Sequence, residues 1–201
     1  MECPSCGAPL PSVKSWTKMV VCEYCGQTSF LNADSLEMAG EKVILRDYDS
    51  FLSVGASGSI KGKRFRCLGM MRFDYGEGDG FWDEWLIELD EKPGQPYWLQ
   101  EDEGRFTLLY EFPTQEQVPP FEQMPVGGHL TLDGKHIFIA EKSRGVVNGG
   151  EGILPWRIVP GEQCDFVDGI FEGKSVSIEY LPGGIEVYMG TPIAVNEIKI
   201  D

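Results

Sequence analysis

Apolar and polar residues alternate in short runs along most of this chain, with a period of two, and glycines close the runs. In the first half the predicted strands are residues 43–45, 64–68 (Arg-Phe-Arg-Cys-Leu), 85–89 (Trp-Leu-Ile-Glu-Leu) and 106–110 (Phe-Thr-Leu-Leu-Tyr). In the second half they are residues 136–140, 157–159, 175–180 and 185–188. One segment departs from this pattern. Residues 31–40 (Leu-Asn-Ala-Asp-Ser-Leu-Glu-Met-Ala-Gly) predict a short connecting helix, capped by Asn32 and stopped by Gly40. Residues 111–125 hold four prolines and no glycine, a composition suited to an extended linker.

The two halves look like copies of each other. Val54-Gly55 and Val126-Gly127 precede a turn glycine, Gly62 and Gly134, by the same distance, and a lysine follows each turn. Asp133-Gly134 is a strong type I′ hairpin signal, and Lys61-Gly62 a weaker one at the equivalent place. Gly76-Glu77-Gly78 then matches Gly150-Glu151-Gly152. Trp85-Leu86-Ile87 matches Trp156-Arg157-Ile158, at 23 and 22 residues from the turn. Duplication of one small β unit accounts for this repetition.

Chemistry enters at the N-terminus. Cys3-Pro4-Ser5-Cys6-Gly7 and Cys22-Glu23-Tyr24-Cys25-Gly26 are two knuckles separated by fifteen residues, the spacing of a four-cysteine metal site. Glycine after each second cysteine allows φ > 0, so that backbone N–H groups can face the thiolates. Neither pair sits in a βαβ pattern, and nothing like a secretory leader precedes Cys3, so metal is expected over redox or disulfide chemistry. Four thiolates close a tetrahedral shell and leave no place for water; the expected cofactor is one structural Zn2+ held by Cys3, Cys6, Cys22 and Cys25.

The predicted architecture is thus mainly β: a zinc ribbon (1–30), a connector (31–44), a first module (45–110), a linker (111–125) and a second module (126–201). The modules are expected to be tandem, duplicated small barrels or sandwiches.

The formal net charge is −15, and all of it lies in the body, because Lys14 and Lys18 balance Glu2 and Glu23 in the ribbon. No basic stripe offers itself to nucleic acid, and anionic membrane would be repelled. No apolar stretch is long enough to span a bilayer, and a cytoplasmic location is expected. The charge favours a protein partner or a cationic ligand.

The most distinctive body sequence is Tyr75-Gly76-Glu77-Gly78-Asp79-Gly80-Phe81-Trp82-Asp83-Glu84-Trp85. Read as a loop, it presents Tyr75, Gly76, Gly78, Trp82, Asp83 and Glu84 as a recognition surface for a basic peptide, a polyamine or an Arg/Lys side chain. Trp85, matched in the second half, is assigned to the core. The acids lack calcium-loop spacing, and Asp83 and Glu84 would point to opposite faces of a strand, so they could not flank one bond. His129 and His136 read as ordinary strand residues, and Cys67 and Cys164 as buried ones. No nucleotide or hydrolase fingerprint occurs.

The run from Phe73 to Trp85, with Trp98-Leu99 and Glu103-Gly104-Arg105-Phe106, resembles bacterial domain-of-unknown-function family 4178, whose members often carry a zinc ribbon in front. The resemblance covers most of residues 45–190 and supplies no catalytic residues. It implies an accessory or regulatory bacterial protein, associated with membrane-stress or envelope systems. The first expectation is a non-enzymatic protein acting through protein–protein contacts of the acidic Gly/Trp segment. The alternatives are a transcription-associated nucleic-acid binder, and an enzyme or binder of a cationic small molecule such as a polyamine, with Asp83 or Glu84 as acid/base.

Overall fold

The structure is a computed structural model that describes residues 1–32, 35–42, 45, 50–76, 80–181 and 183–201, with backbone alone at 40 and 41. The mainly β class holds. The ribbon contributes β1 (Met19–Val21), β2 (Gln27–Asn32) and β3 (Ser35–Lys42). The first half contributes β4 (Ser57–Ile60), β5 (Lys63–Tyr75), β6 (Phe81–Leu89), β7 (Pro96–Asp102) and β8 (Arg105–Glu111). The second contributes β9 (His129–Leu132), β10 (Lys135–Leu154), β11 (Gln163–Phe171), β12 (Lys174–Leu181) and β13 (Gly184–Ile193), and β14 (Ile198–Ile200) ends the chain.

Each half is the same five-strand antiparallel meander, entered through the same turn. Lys61 and Gly62 have φ of 50° and 80°, and Asp133 and Gly134 have 46° and 72°, the double positive φ of a type I′ hairpin. The equivalence of Gly62 with Gly134 is therefore structural. The later matches are not. Gly150 and Gly152 lie inside β10, and residues 157–159 form no strand. Pro155 follows Leu154, the last residue paired with the ribbon, and its missing N–H cannot extend the ladder. The chain instead delivers Trp156 onto Trp98, stacked at 4.9 Å and 7°. By strand order, the counterpart of β6 is β11.

The two meanders are joined at both edges. From β5 the pairings run through β6, β7, β8, β13, β12, β11 and β10, and β10 pairs β5 directly, so these eight strands close on themselves. Period-two alternation then has an unusual consequence. On one face Trp85, Ile87 and Leu99 enter a core made mainly of first-half residues, and Val167, Val176 and Ile178 enter a core of second-half residues. On the other face Trp82, Leu86, Trp98, Phe166 and Tyr188 form a third cluster drawn from both halves, against which Met19 and Val21 of the ribbon pack. Trp85 is in the core as expected, and Cys67 and Cys164 are buried.

Two further segments differ from expectation, and a third is only partly described. Residues 31–32 and 35–40 are strand rather than helix, residues 33 and 34 lying outside the described residues: β3 pairs β2 with Phe30 opposite Glu37 and Leu31 opposite Leu36. A ten-residue helix has little stability alone, whereas the free edge of β2 offers a row of backbone hydrogen bonds. Residues 111–125 are largely extended but not a free tether. Phe112, Val118, Phe121 and Met124 pack on the second-half core, and the Tyr180 hydroxyl donates to the Pro119 carbonyl at 2.7 Å. Of the strand expected at 43–45, residues 43 and 44 lie outside the described residues. The basic run after Lys61 forms the predicted hairpin, with Lys63 and Arg64 paired to Glu91 and Asp201 at 2.6 Å each.

Candidate functional site

Two constellations of ionisable groups stand out. In the first, the Sγ atoms of Cys3, Cys6, Cys22 and Cys25 all lie within 4.8 Å of one another. The Cys3–Cys25 and Cys6–Cys22 separations are 3.7 and 3.8 Å. Four thiolates at about 2.3 Å from a central ion sit on a tetrahedron with edges of about 3.8 Å, so the donor set fits a tetrahedral metal. Gly7 and Gly26 have φ of 75° and 67°, as the knuckle reading requires, and their N–H groups close turns onto the carbonyls of Cys3 and Cys22. Burial raises the Cys3 thiol, but the backbone N–H groups of Cys6 and Ser5 outweigh it and lower the group to about 7. The four cysteines can hold a metal ion. β1 carries the site onto the body by pairing Met19, Val20 and Val21 with Leu154, Ile153 and Gly152. Lys14 adds an ion pair to Glu88 at 2.8 Å.

The second constellation lies inside the strand ring. Trp82, Asp83 and Glu84 are strand residues of β6 and are 5%, 2% and 5% exposed, so they form no exposed recognition loop. Adjacent strand positions face opposite ways, and the three side chains divide accordingly. Asp83 meets Arg72, its register partner on β5, through two hydrogen bonds of 2.7 and 2.8 Å, both side chains being buried. Burial raises the Asp83 carboxyl, against the pull of Arg72.

Trp82 and Glu84 face inward. The indole Nε1 of Trp82 donates to Glu84 at 3.0 Å. Its ring is stacked on Phe73 at 4.9 Å and meets Phe166 edge-on at 5.2 Å. A Cβ at Gly145 would stand 2.3 Å from that indole, which is why β10 carries no side chain there.

These groups line a chamber of about 70 Å3, room for about two waters. Among the described residues its wall includes five carboxylates, Glu84, Asp102, Glu141, Asp168 and Glu179, and no lysine, arginine or histidine. They come from β6, β7, β10, β11 and β12. Burial raises Glu84 to about 7, despite the Trp82 hydrogen bond and with the charge of Asp168 adding to it. Burial raises Asp168 to about 6, despite a hydrogen bond from Ser177. Glu179 stands well above the carboxylate range, through burial first and then the charges of Glu84 and Glu186. Its side chain is only 7% exposed, and among the described residues its carboxylate has no hydrogen-bond or ion-pair partner. Asp102 Oδ1 is likewise buried without a partner. Unpaired buried acids of this kind are costly, and they are repaid by a cation or by retained protons.

A family model described as a domain of unknown function, DUF4178, matches residues 53–195. The chain belongs to this family. The match spans β4 to β13, so the strand ring and its chamber are the DUF4178 domain, while the four-cysteine ribbon lies outside the matched span. No curated protein and no solved structure matches the chain.

Of the binding residues expected from the acidic Gly/Trp segment, Tyr75, Trp82 and Glu84 reach the chamber, and Asp83 does not. Gly76 sits at the end of β5, where a Cβ would stand 3.1 Å from the Arg144 carbonyl. Gly78 lies outside the described residues. Asp102, Glu141, Asp168 and Glu179 were not singled out by sequence. Their one signal is an acid at the polar position of an alternating strand, as in Val176-Ser177-Ile178-Glu179, which ordinarily marks a solvent face. His129 and His136 are strand residues away from this chamber; His136 Nδ1 lies 3.1 Å from Thr131 Oγ1. Among the described residues no helix is long and apolar enough to cross a membrane.

Proposed function

We propose that this protein is a non-enzymatic binder of organic cations, with the chamber of the strand ring as its site and one structural Zn2+ in the ribbon. The observation that carries the reading is the lining of the chamber: five carboxylates and no cationic side chain among its described residues, with Glu179 unpaired. Apolar walls of Phe73, Trp82 and Phe166 keep the local dielectric low, which strengthens attraction to an ammonium group once it has shed its water. Nucleophilic catalysis by a thiol has no support from Cys164, the thiol in the wall. Burial and the charges of Glu179 and Glu84 hold it above its usual range, so it is protonated and a poor nucleophile. Protein recognition by an exposed Trp82–Asp83–Glu84 face has lost its footing, because those side chains are buried.

Titration calorimetry of the whole chain at pH 8 with 1,4-diaminobutane and with sodium chloride of matched ionic strength tests the reading. Saturable binding of the diamine, weakened at least about tenfold by Glu84→Gln, is expected. A diamine response equal to that of sodium would end the proposal.

A further inference from the structure

The chamber does not stand alone. A cavity of about 210 Å3 shares Gln100, Glu141, Asp168 and Ser177 with it, and a pocket of about 490 Å3 shares Phe73, Cys164 and Glu179. The two neighbours share different walls of the chamber, so a passage through the ring would have the chamber as its waist. Carboxylates are distributed along that passage. Glu141 and Asp168 stand at one end, Glu84 and Asp102 at the waist, Glu179 at the junction with the large pocket, and Glu186 beyond it.

Glu186 is held in place by Trp156 Nε1, which donates at 2.8 Å, and by the Tyr188 hydroxyl. Lys18 and Arg157 line the same large pocket, and Arg157 donates to Asn32 at 2.8 Å. The anionic stretch therefore gives way to a mixed wall at that mouth.

This arrangement discriminates among cations. A divalent metal needs several oxygens within one coordination shell. Among the described residues the one group of His, Cys, Asp or Glu that converges so tightly is the cysteine cluster, and these carboxylates do not. A compact quaternary ammonium needs open aromatic faces. One face of Trp82 is covered by Phe73, and Phe166 meets the indole edge-on. What fits acids spaced along a narrow passage, with apolar ring edges between them, is a flexible methylene chain bearing several ammonium groups.

We propose that the passage takes a linear polyamine lengthwise, with successive ammonium groups at Asp168, Glu84 and Glu179. This deepens the cation-binding reading and rests on it. Each ammonium supplies a cationic partner, which among the described residues Glu84 and Asp168 lack beside their neutral donors Trp82 and Ser177 and which Glu179 lacks altogether, and the methylenes run along Phe73, Trp82 and Phe166. Glu186 extends the row for a longer chain.

The test is calorimetry of the intact protein at pH 8 and 0.15 M salt with butylamine, 1,4-diaminobutane, spermidine, spermine and tetramethylammonium. Affinity is expected to rise by about tenfold per added ammonium group, and Glu179→Gln to weaken spermine by at least about tenfold while changing butylamine little. Glu91→Gln, on the outside of the ring, is expected to leave spermine binding unchanged. Loss of spermine affinity equally in Glu91→Gln and Glu179→Gln would assign binding to the acidic surface and overturn the passage. Butylamine or tetramethylammonium binding as tightly as spermine would overturn the polyamine and leave the cation-binding reading standing. Absence of binding by every amine would overturn both. Thermal unfolding of ligand-free Glu179→Gln at or above the wild-type temperature keeps a folding defect from mimicking the expected loss.

Discussion

The cysteine ribbon and the acidic chamber are both clusters of ionisable side chains, yet they are assembled in opposite ways. The ribbon gathers its four ligands from two short knuckles, each pair set by local turns, onto a single point. The chamber gathers its acids from five strands and spreads them along a passage. Convergence suits one small ion that binds four donors at once; dispersion suits a long ligand or a set of shared protons. The difference also governs energetics. A metal held by the four cysteines would couple its binding to ribbon folding, whereas the ring around the chamber is held by its own strand pairing.

That contrast breaks first at the metal. Cys22→Ser should abolish metal content, one equivalent per chain by elemental analysis, and remove on the order of 10 kcal/mol of ribbon folding free energy. The eight-strand ring should survive, so limited proteolysis is expected to trim the N-terminus and stop. A metal-free wild type with two disulfides would overturn the assignment. Digestion of the whole chain in Cys22→Ser would show that the ring depends on β1 far more than its three paired residues suggest.

Within the chamber strand itself lies a sharper comparison, between Asp83 and Glu84. These neighbours are equally buried, but Asp83 has Arg72 and Glu84 has the chamber. Arg72→Met should cost about 3–5 kcal/mol in chemical denaturation, because Asp83 is left as an uncompensated buried charge. Arg72→Met with Asp83→Leu should regain most of it, since two apolar groups need no partner. If the double variant proves as unstable as the single one, Arg72 contributes through packing rather than through charge, for instance over the Phe81 ring at 3.9 Å.

The same comparison explains what could be read from sequence. The cysteine knuckles, their glycines and the two type I′ turns are local features, so the four-cysteine cluster and the Gly62/Gly134 pair were legible without a fold. Six of the fourteen described strands, β5, β6, β8, β10, β12 and β13, were legible too, through alternation. Alternation separates two faces but does not say what covers each. Glu179 and Asp168 occupy the polar face of their strands, and that face is enclosed only because β10 pairs β5 and β13 pairs β8, contacts between residues far apart in sequence. The Trp85/Trp156 match misled for a related reason: equal spacing survived in the chain, but Pro155 takes Trp156 out of the sheet. At residues 35–40, helix-forming side chains yielded to the open edge of β2.

The smallest effect concerns protons, and its sign separates the chamber acids from ordinary ones. Glu84 at about 7 and Asp168 at about 6 lie above their ordinary values of 4.5 and 3.8, chiefly through burial. In this window the folded chain holds more protons than the unfolded one, so stability present below about pH 4 is lost as pH rises through 6 and 7. The facing groups reinforce the direction: Asp102 from β7, Glu141 from β10, Glu179 from β12 and Glu186 from β13 are all acids, and Tyr75 from β5 and Tyr188 from β13 are held protonated by burial and by those charges. Glu88 and Asp201 act oppositely. The hydrogen bonds of Lys14 and Arg64 hold them below their usual range, so their contribution is lost only as pH falls below about 4. Ligand-free protein should therefore lose on the order of 3 kcal/mol between pH 5 and pH 8, and Glu84→Gln should flatten that slope. Spermine should raise the unfolding temperature more at pH 8 than at pH 5, because at the lower pH its ammonium groups must displace protons from the same carboxylates. A stability that climbs from pH 5 to 8 in the ligand-free protein would mean that the chamber acids are already paired, and would remove the reason for a cation to enter.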